Sequence, residues 1–435
     1  MQRKCLQELQ NWQKQSSRKP LLLDGARQVG KTYLIEYFGA QCFTKVHKLD
    51  FLANPRLIDL FEEGLDPAVI ISKIEIYLNV TIDLINDMIF FDEIGECQAA
   101  LDSLKYFAEN LPQAYICASG SNIGLLGSFP VGKVHLLALY PMDFEEFLWI
   151  YENMPLNKAY VEQARNKLVH DQLWKILLDY YFVGGMPEAV KAWSNKEKSI
   201  QQKCMQVSDI HKDLIVGYQR DFAKYKGQIN AQHIETVFLN VPRQLSKNFD
   251  GSVKRFVFKG VIEKKNRYAD LRGPIDWLVK AKLISKCYPI DSQPRVPLQA
   301  QVKENSFKLY FFDVGLLGHL LEMNYTDQQA QKTAYKGYIA ENFVQNEFRA
   351  NGTYPSYSWE LARGEIEFLL KSKNGEIVPV EVKSGARTRA KSLQAYIDRY
   401  KPTKSVKLIG AVGGNNEDKT KVVWPLYYAQ FLKTI

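Results

Sequence analysis

The sequence predicts a multidomain α/β protein, and three observations support this class. Residues 20–140 alternate short apolar segments with helical patterns, which is typical of a parallel sheet covered by helices. Residues 142–212 have apolar side chains at three- and four-residue spacing, which predicts helices. After residue 308 the α/β pattern returns and includes a predicted hairpin.

The composition fits a folded, soluble chain. Of 435 residues, 46% are hydrophobic and 24% are charged. There is no run of about 18 apolar residues, and the N-terminal stretch resembles a polar helix more than a signal peptide. We therefore expect a cytoplasmic protein without membrane contact. The six cysteines are scattered without a CxxC pair or Cys/His cluster, which argues against a zinc site or disulfide framework.

Five buried parallel strands are expected in the first third of the chain. Each is a short apolar segment that ends in turn or charged residues. Two segments with helical spacing lie between them, KTYLIEYFGA and ALDSLKYFAENL. The predicted strands are PLLLDGA, VHKLDF, MIFFDE, AYICASG and VHLLALY.

The first of these strands leads into GARQVGKT, residues 25–32, which matches the phosphate-loop pattern GxxxxGK[ST]. The pattern also occurs by chance, but here it follows an apolar strand and opens a helix, as phosphate binding requires. The lysine would reach the β- and γ-phosphates of ATP, and the threonine hydroxyl would bind Mg²⁺. The expected nucleotide-binding residues of the loop are Gly25, Ala26, Arg27, Gln28, Val29, Gly30, Lys31 and Thr32.

Two later strand ends are expected to complete this site. IFFDEIGE, residues 89–96, has the Walker B pattern, in which Asp92 would hold Mg²⁺ and Glu93 would act as general base on a water. A strand that ends in acids is also common for structural reasons. The prediction of an ATP site therefore depends on finding the phosphate-loop pattern and the Walker B pattern together and in this order. AYICASG is followed by Ser121 and Asn122, either of which could sense the γ-phosphate.

The middle of the chain is basic. Between Arg243 and Lys286 the sequence has 12 lysine or arginine residues and 4 acids, within a pattern that resembles a winged helix. Phosphate contacts here would give salt-sensitive binding to DNA. A solvated basic face, or a winged helix that only packs against a neighbouring domain, is the alternative. The expected nucleic-acid contacts are Lys264, Lys265, Arg267, Arg272, Lys280 and Lys282.

The hairpin EIEFLLKSKNGEIVPVEVKS, with Asn374-Gly375 at its turn, carries the last group of candidates. Residues i and i+2 of a strand share a face, so Glu367, Glu381 and Lys383 should meet on one surface. With Glu341 on the preceding helix, this is the layout of restriction-endonuclease-like folds. Glu367 and Glu381 would hold Mg²⁺ and Lys383 would help position a water. Such nucleases usually have aspartate where Glu367 stands, and an exposed charged hairpin is the alternative.

The order of several motifs resembles archaeal and bacterial AAA+-type ATPases with a winged-helix segment and a restriction-endonuclease-like C-terminal domain. The motifs are GARQVGKT, IFFDEIGECQAALDSLKYFAE, ASGSN, VGKVHLLALYPMDFEEFL, YFVGGMPEAV, DFAKY and FKLYFFDVGLLG. The resemblance implies an ATPase core of the additional-strand type. Where this group often has an arginine, before the strand that leads to PMDFEEF, this chain has Lys133.

We therefore expect a P-loop ATPase core at 1–141, a helical lid at 142–205, a winged-helix-like basic segment at 206–300 and a restriction-endonuclease-like domain at 301–435. The expected function is Mg²⁺-dependent ATP hydrolysis coupled to DNA binding or processing. The alternative is a nucleotide-dependent switch that controls a protein partner, with an inactive nuclease-like domain. A homo-oligomer is compatible with either interpretation.

Overall fold

The computed structural model describes residues 1–121, 123–125, 128–223, 228–246, 253–330, 336–352, 356–361, 364–385, 391–414 and 420–434. The chain forms two compact units. Unit 1 contains Met1–Tyr140 together with Lys280–Lys282, and unit 2 contains Pro141–Val279 together with Leu283–Ile435.

Unit 1 alternates strands and helices in the order expected from the sequence. Its strands are β1 (Leu21–Gly25), β2 (Lys45–Asp50), β3 (Asp87–Asp92), β4 (Tyr115–Gly120) and β5 (His135–Leu139). Its helices are α1 (Cys5–Gln13), α2 (Lys31–Cys42), α3 (Pro67–Leu78) and α4 (Gln98–Asn110), with short 3₁₀ turns at Pro55–Phe61, Ile94–Glu96 and Ile123–Leu125. All five predicted strands and both predicted helices are confirmed.

The five strands of unit 1 form one parallel sheet in the order β2-β3-β4-β1-β5. Because β4 lies between β1 and β3, the sheet has the additional strand that the resemblance implies. β1 and β3 are buried along their whole length, which explains their continuous apolar sequences. The carboxyl ends of β1, β3 and β4 therefore meet at one edge, where ligands bind in open α/β sheets.

Apolar side chains on one face of this sheet pack against α3 and α4. Leu22, Ile89 and Phe91 from the strands join Ile70 and Leu104 from the helices in one buried cluster. Asp66 caps the start of α3 by accepting hydrogen bonds from the backbone N–H groups of Ala68 and Val69. This packing fixes the positions of β1 and β3 and of the loops that follow them.

Unit 2 is helical at first and then mixed. Its helices are α5 (Phe144–Leu148), α6 (Met154–Val161), α7 (Lys167–Val183), α8 (Pro187–Trp193), α9 (Ile200–Phe222), α10 (Gln228–Ser246), α11 (Tyr268–Lys280, whose last residue groups with unit 1), α12 (Val314–Leu320), α13 (Tyr325–Gln329), α14 (Lys336–Ala350) and α15 (Lys391–Tyr400). Its strands are β6 (Ile284–Ile290), β7 (Lys308–Phe311), β8 (Ser356–Leu361), β9 (Gly364–Lys371), β10 (Ile377–Val382), β11 (Ser405–Ile409) and β12 (Lys421–Pro425). Short 3₁₀ turns lie at Trp149–Tyr151, Leu298–Gln301 and Leu426–Thr434.

The seven strands of unit 2 form a mixed sheet in the order β12-β11-β10-β9-β8-β6-β7. β9 and β10 form the predicted hairpin, with Ile377 opposite Lys371 and Gly375 at a φ of 83°. β6, which lies in the expected winged-helix-like segment 206–300, pairs with β7 and β8 in this sheet. Strands on both sides of residue 300 thus share one sheet, and the winged-helix and nuclease-like folds remain predictions.

The GGMPEAV motif has a packing role in unit 2. A Cβ atom on Gly184 would lie 2.2 Å from Oδ1 of Asp313, and one on Gly185 would lie 2.1 Å from the Met142 carbonyl oxygen. Asp313 caps α12 and also accepts a 2.7 Å hydrogen bond from the Gly185 N–H. Burial raises the pKa of the Asp313 carboxyl to about 6. Gly184 therefore permits close packing of the end of α7 against the start of α12, and Gly185 permits close packing against the backbone before α5.

His211 makes the stability of unit 2 sensitive to acid. Its Nε2 donates a 3.0 Å hydrogen bond to the Val183 carbonyl oxygen, its ring lies 5.7 Å from that of His319, and burial lowers its pKa to about 4. Between the unfolded pKa of about 6.5 and pH 4, only the unfolded chain takes up this proton. Full stability is thus present above pH 6.5 and falls on acidification.

We expect the wild type to lose about 2 kcal/mol more stability than His211→Gln when the pH falls from 7 to 5. Glutamine keeps a donor for the Val183 carbonyl but has no proton to gain. Urea unfolding followed by tryptophan fluorescence measures the difference. Equal losses in the two proteins would show that His211 does not contribute to acid sensitivity.

Within the described ranges, no helix combines the length and the apolar character needed to cross a membrane. The six cysteines are free thiols.

Candidate functional site

The loop from Gly25 to Gly30 connects β1 to α2 at the carboxyl edge of the unit 1 sheet. Gly25 has no room for a side chain, because a Cβ atom there would lie 2.3 Å from the Leu139 carbonyl oxygen. Gln28 and Gly30 have φ angles of 63° and 93°, so the backbone makes a left-handed turn just before the helix. The helix N-terminus and the curled backbone together provide the N–H groups expected of an anion site.

The remaining loop residues divide into buried and accessible ones. Ala26 and Val29 are buried, Arg27 is half-buried and Gln28 is exposed. The Val29 carbonyl oxygen accepts a 2.8 Å hydrogen bond from the guanidinium of Arg3. This contact of the N-terminal segment stabilises the loop and was not expected from the sequence.

Lys31 lies inside the loop that precedes it. Its Nζ donates hydrogen bonds to the carbonyl oxygens of Gly25 and Ala26, at 3.0 and 2.9 Å, and its side chain is buried. Burial lowers the pKa of this ammonium, while Glu93 and Asp24 oppose the change. A cation fixed in this way is ready to interact with the phosphates that the loop would surround.

Asp92 connects the loop to β3. Its Oδ1 accepts a 3.0 Å hydrogen bond from the hydroxyl of Thr32 and another from that of Ser119. Its Oδ2 lies 3.0 Å from the Nζ of Lys48. Thr32 and Asp92, predicted from separate motifs, are thus in direct contact, and their oxygens are ligands that Mg²⁺ prefers.

Glu93 follows Asp92 in a left-handed conformation, with a φ of 50° and a ψ of 46°. Its Oε2 accepts 3.3 Å hydrogen bonds from both the backbone N–H and the hydroxyl of Ser121. Glu93 and Ser121, both predicted site residues, are therefore in direct contact. Asn122, the other candidate for sensing the γ-phosphate, lies outside the described residues.

The sequence-predicted carboxylates of unit 2 also lie close together. Lys383 Nζ is 3.0 Å from Glu367 Oε1 and 3.4 Å from Glu381 Oε1, and the other Glu367 oxygen accepts from the Val382 N–H. Both carboxylates are buried. Glu341 on α14 is buried too and accepts a 3.3 Å hydrogen bond from the Tyr310 hydroxyl. No group of three or more acidic, His or Cys side chains within the described ranges has the arrangement to hold a metal ion.

A buried lysine adjoins these carboxylates. Lys308 on β7 is 1% exposed and pairs with Glu365 on β9. The next residue of β9, Ile366, is in the core. Burial is the largest cause that raises the pKa of Glu341, to about 8; Lys308 opposes the rise, and the neighbouring charges of Glu367 and Glu365 add to it. Lysines therefore balance much of the negative charge in this cluster.

Removing the Lys308 ammonium should destabilise unit 2 strongly. Lys308→Met would leave the partly buried carboxylate of Glu365 without its main partner, and we expect a loss of about 3 kcal/mol of unfolding free energy. The matched control is Lys303→Met, since Lys303 and Asp291 form a well-exposed pair that contributes little. Urea unfolding of both variants gives the comparison. Equal effects would contradict a structural role for the buried pair.

The basic segment is only partly accessible. Lys264, Arg267, Arg272 and Lys280 are exposed. Lys265 is half-buried beside His233, at 3.3 Å, and Lys282 pairs with Asp24 within unit 1. The sequence pattern extends this charge to Lys286, but Lys286 is buried and paired with Asp276 at 2.7 Å. Four of the six predicted nucleic-acid contacts are thus exposed to solvent.

Three family models match consecutive parts of the chain. Residues 17–148 match the model described as "AAA domain". Residues 175–327 and 336–429 match two models described as "Domain of unknown function", DUF8612 and DUF4143. Unit 1 is therefore a parallel-sheet α/β domain that resembles P-loop ATPases, and most of it lies within the AAA match. No curated protein matches the chain.

Solved structures give weaker similarities. The Walker-type ATPase PABY2304 of Pyrococcus abyssi is 14% identical, with a TM-score of 0.43, over 73% of this chain and 94% of that chain. The Aeropyrum pernix ORC1 protein, solved in complex with DNA, is 11% identical with a TM-score of 0.33, over 75% and 93% of the two chains. Drosophila ORC bound to DNA is 10% identical with a TM-score of 0.27, over 73% and 85%. Similarity at this level establishes neither function nor partner.

Sequence reasoning missed several residues of these sites. Ser119 and Lys48 both contact Asp92. Ser119 lies within ASGSN but was not among the predicted site residues, and Lys48 lies in the predicted strand VHKLDF, which has no site motif. Lys308 could have been found, because a lysine within the apolar stretch FKLYFF indicates an internal ion pair.

Proposed function

We propose that the chain binds ATP at Gly25–Thr32 and hydrolyses it with Mg²⁺. The observation that carries this proposal is the 3.0 Å contact between the Thr32 hydroxyl and Asp92, which brings the phosphate loop and the Walker B strand together. Thr32 and Asp92 would hold Mg²⁺, which would stabilise charge on the phosphates. The AAA family match over residues 17–148 supports the same function.

Each side chain of the site has a role in this proposal. The loop N–H groups and Lys31 bind the β- and γ-phosphates. Glu93 accepts a proton from the attacking water, and Ser121, which donates to Glu93, holds that carboxylate in place.

Lys133, which the resemblance places where an arginine is common, forms a 2.8 Å ion pair with Glu109 in this structure.

We further propose that nucleotide turnover is coupled to DNA. The exposed side chains of Lys264, Arg267 and Arg272 support contact with a phosphate backbone. The test compares ATP hydrolysis with and without duplex DNA, in the wild type and in a triple alanine variant of these residues. A triple alanine variant of Lys167, Lys191 and Lys198, exposed lysines of the same unit, is the matched control.

Stimulation by DNA that is lost only in the first variant supports the coupling. Turnover that is indifferent to DNA would contradict it and would favour the nucleotide-dependent switch with a protein partner.

The C-terminal cluster has a second candidate function, cleavage of a phosphodiester. The convergence of Glu367 and Glu381 on Lys383 favours it, whereas their burial and ion pairing favour an inactive scaffold. Incubating the protein with DNA and Mg²⁺, beside the Lys383→Ala variant, decides between them. Cutting that disappears in the variant supports cleavage, and intact DNA supports the scaffold.

A further inference from the structure

Lys48 lies at the Walker B carboxylate without belonging to any motif of the site. It is on β2, directly opposite Phe90 of β3, and its side chain is 31% exposed. Its ammonium is 3.0 Å from Oδ2 of Asp92 and 2.8 Å from Oε1 of Glu36 on α2. One lysine therefore bridges the strand that ends in Asp92 and the helix that begins at the phosphate loop.

The two oxygens of Asp92 have different partners. Thr32 and Ser119 donate to Oδ1, whereas Lys48 pairs with Oδ2. Asp92 is 2% exposed, so its charge interacts with these neighbours through little water. Lys48 therefore places a positive charge between two carboxylates, that of Asp92 and that of Glu36.

A divalent cation bound by Thr32 and Asp92 would lie close to the Lys48 ammonium, which contacts the same carboxylate. Two cations on one carboxylate repel each other, so Mg²⁺ and Lys48 would compete for Asp92. Lys48 can pair with Glu36 instead of Asp92. The Glu36 carboxylate is half exposed, so it can move with the long lysine side chain.

We propose that Lys48 is a positioning residue that competes with Mg²⁺ for Asp92 and thereby sets the Mg²⁺ concentration needed to bind ATP. Glu36 lowers the Mg²⁺ concentration that is needed, because it pairs with the Lys48 ammonium when Mg²⁺ replaces that ammonium at Asp92. This inference rests on the proposed nucleotide site. It concerns only the metal requirement of that site and not the chemical step.

The test measures binding of a fluorescent ATP analogue while Mg²⁺ is raised from micromolar to millimolar levels, with a parallel titration in EDTA. The proteins are the wild type, Lys48→Met, Glu36→Gln and Lys45→Met. Lys45 is the matched control, because it is an exposed lysine on the same strand. Methionine keeps most of the lysine volume and removes the charge.

We expect the half-saturating Mg²⁺ concentration to fall about two- to fivefold in Lys48→Met, to rise by a similar factor in Glu36→Gln and to stay unchanged in Lys45→Met. An unchanged or higher value in Lys48→Met would overturn the inference alone. Weaker binding of Lys48→Met in EDTA would also overturn it, because Lys48 would then act on the phosphates. A lack of binding by all four proteins would overturn the nucleotide site itself.

Discussion

Replacing Lys31 with alanine is expected to lower ATP turnover by about 100-fold or more. The Lys31 ammonium is buried within the loop and held by the carbonyl oxygens of Gly25 and Ala26. In the proposed site, a charge at this position would interact with the transferred phosphoryl group through little intervening water, so solvent would not replace it. Steady-state phosphate release by both proteins at the same millimolar ATP concentration measures the effect.

Lys73→Ala is the control for this variant. Lys73 lies on α3 of the same unit and pairs with Glu63, a well-exposed carboxylate. We expect turnover close to that of the wild type. If Lys31→Ala retains more than a tenth of wild-type turnover while Lys73→Ala is unaffected, Lys31 does not have the role assigned to it.

The second large effect is expected from Glu93→Gln. Glutamine has nearly the same shape but cannot accept the proton of the attacking water, so hydrolysis should fall by a factor on the order of 10²–10⁴. ATP binding should persist, because Glu93 lies beside the phosphate loop and is not one of its residues. Single-turnover hydrolysis and equilibrium binding of ATP, measured on one preparation, separate the two effects.

Glu96→Gln is the matched control, because Glu96 is an exposed carboxylate at the end of the same 3₁₀ turn. Parallel losses of binding and hydrolysis in Glu93→Gln would mean that this side chain supports the fold of the site. That result would remove Glu93 from the chemical step.

The arrangement of the proposed nucleotide site could be predicted because its parts are local in sequence. GARQVGKT contains its own turn glycines, lysine and helix start, and an apolar strand that ends in two acids was enough to find Asp92 and Glu93. The carboxyl ends of β1 and β3 lie at the same edge of the parallel sheet, and there the Thr32 hydroxyl contacts Asp92. Lys48 could not be found in this way, because its contact with Asp92 depends on the pairing of β2 with β3.

Unit 2 shows where local patterns are insufficient. The alternation in β9 and β10 correctly predicted that Glu367, Glu381 and Lys383 meet. It could not predict that β6 and β7 would extend the same sheet, since that pairing joins residues far apart in the chain. The same long-range pairing brings Lys308 to Glu365 and buries Lys286, whose charge we had assigned to the accessible basic segment.

Calorimetric titration of ATP into the purified wild type, with Mg²⁺ present, tests the central claim most directly. The geometry of Gly25–Thr32 and Asp92 predicts saturable binding at one site per chain, and no measurable binding by Lys31→Ala. A folded wild-type protein that releases no heat of binding at millimolar ATP, or that binds it equally well without Lys31, would contradict the assignment of this loop as a nucleotide site.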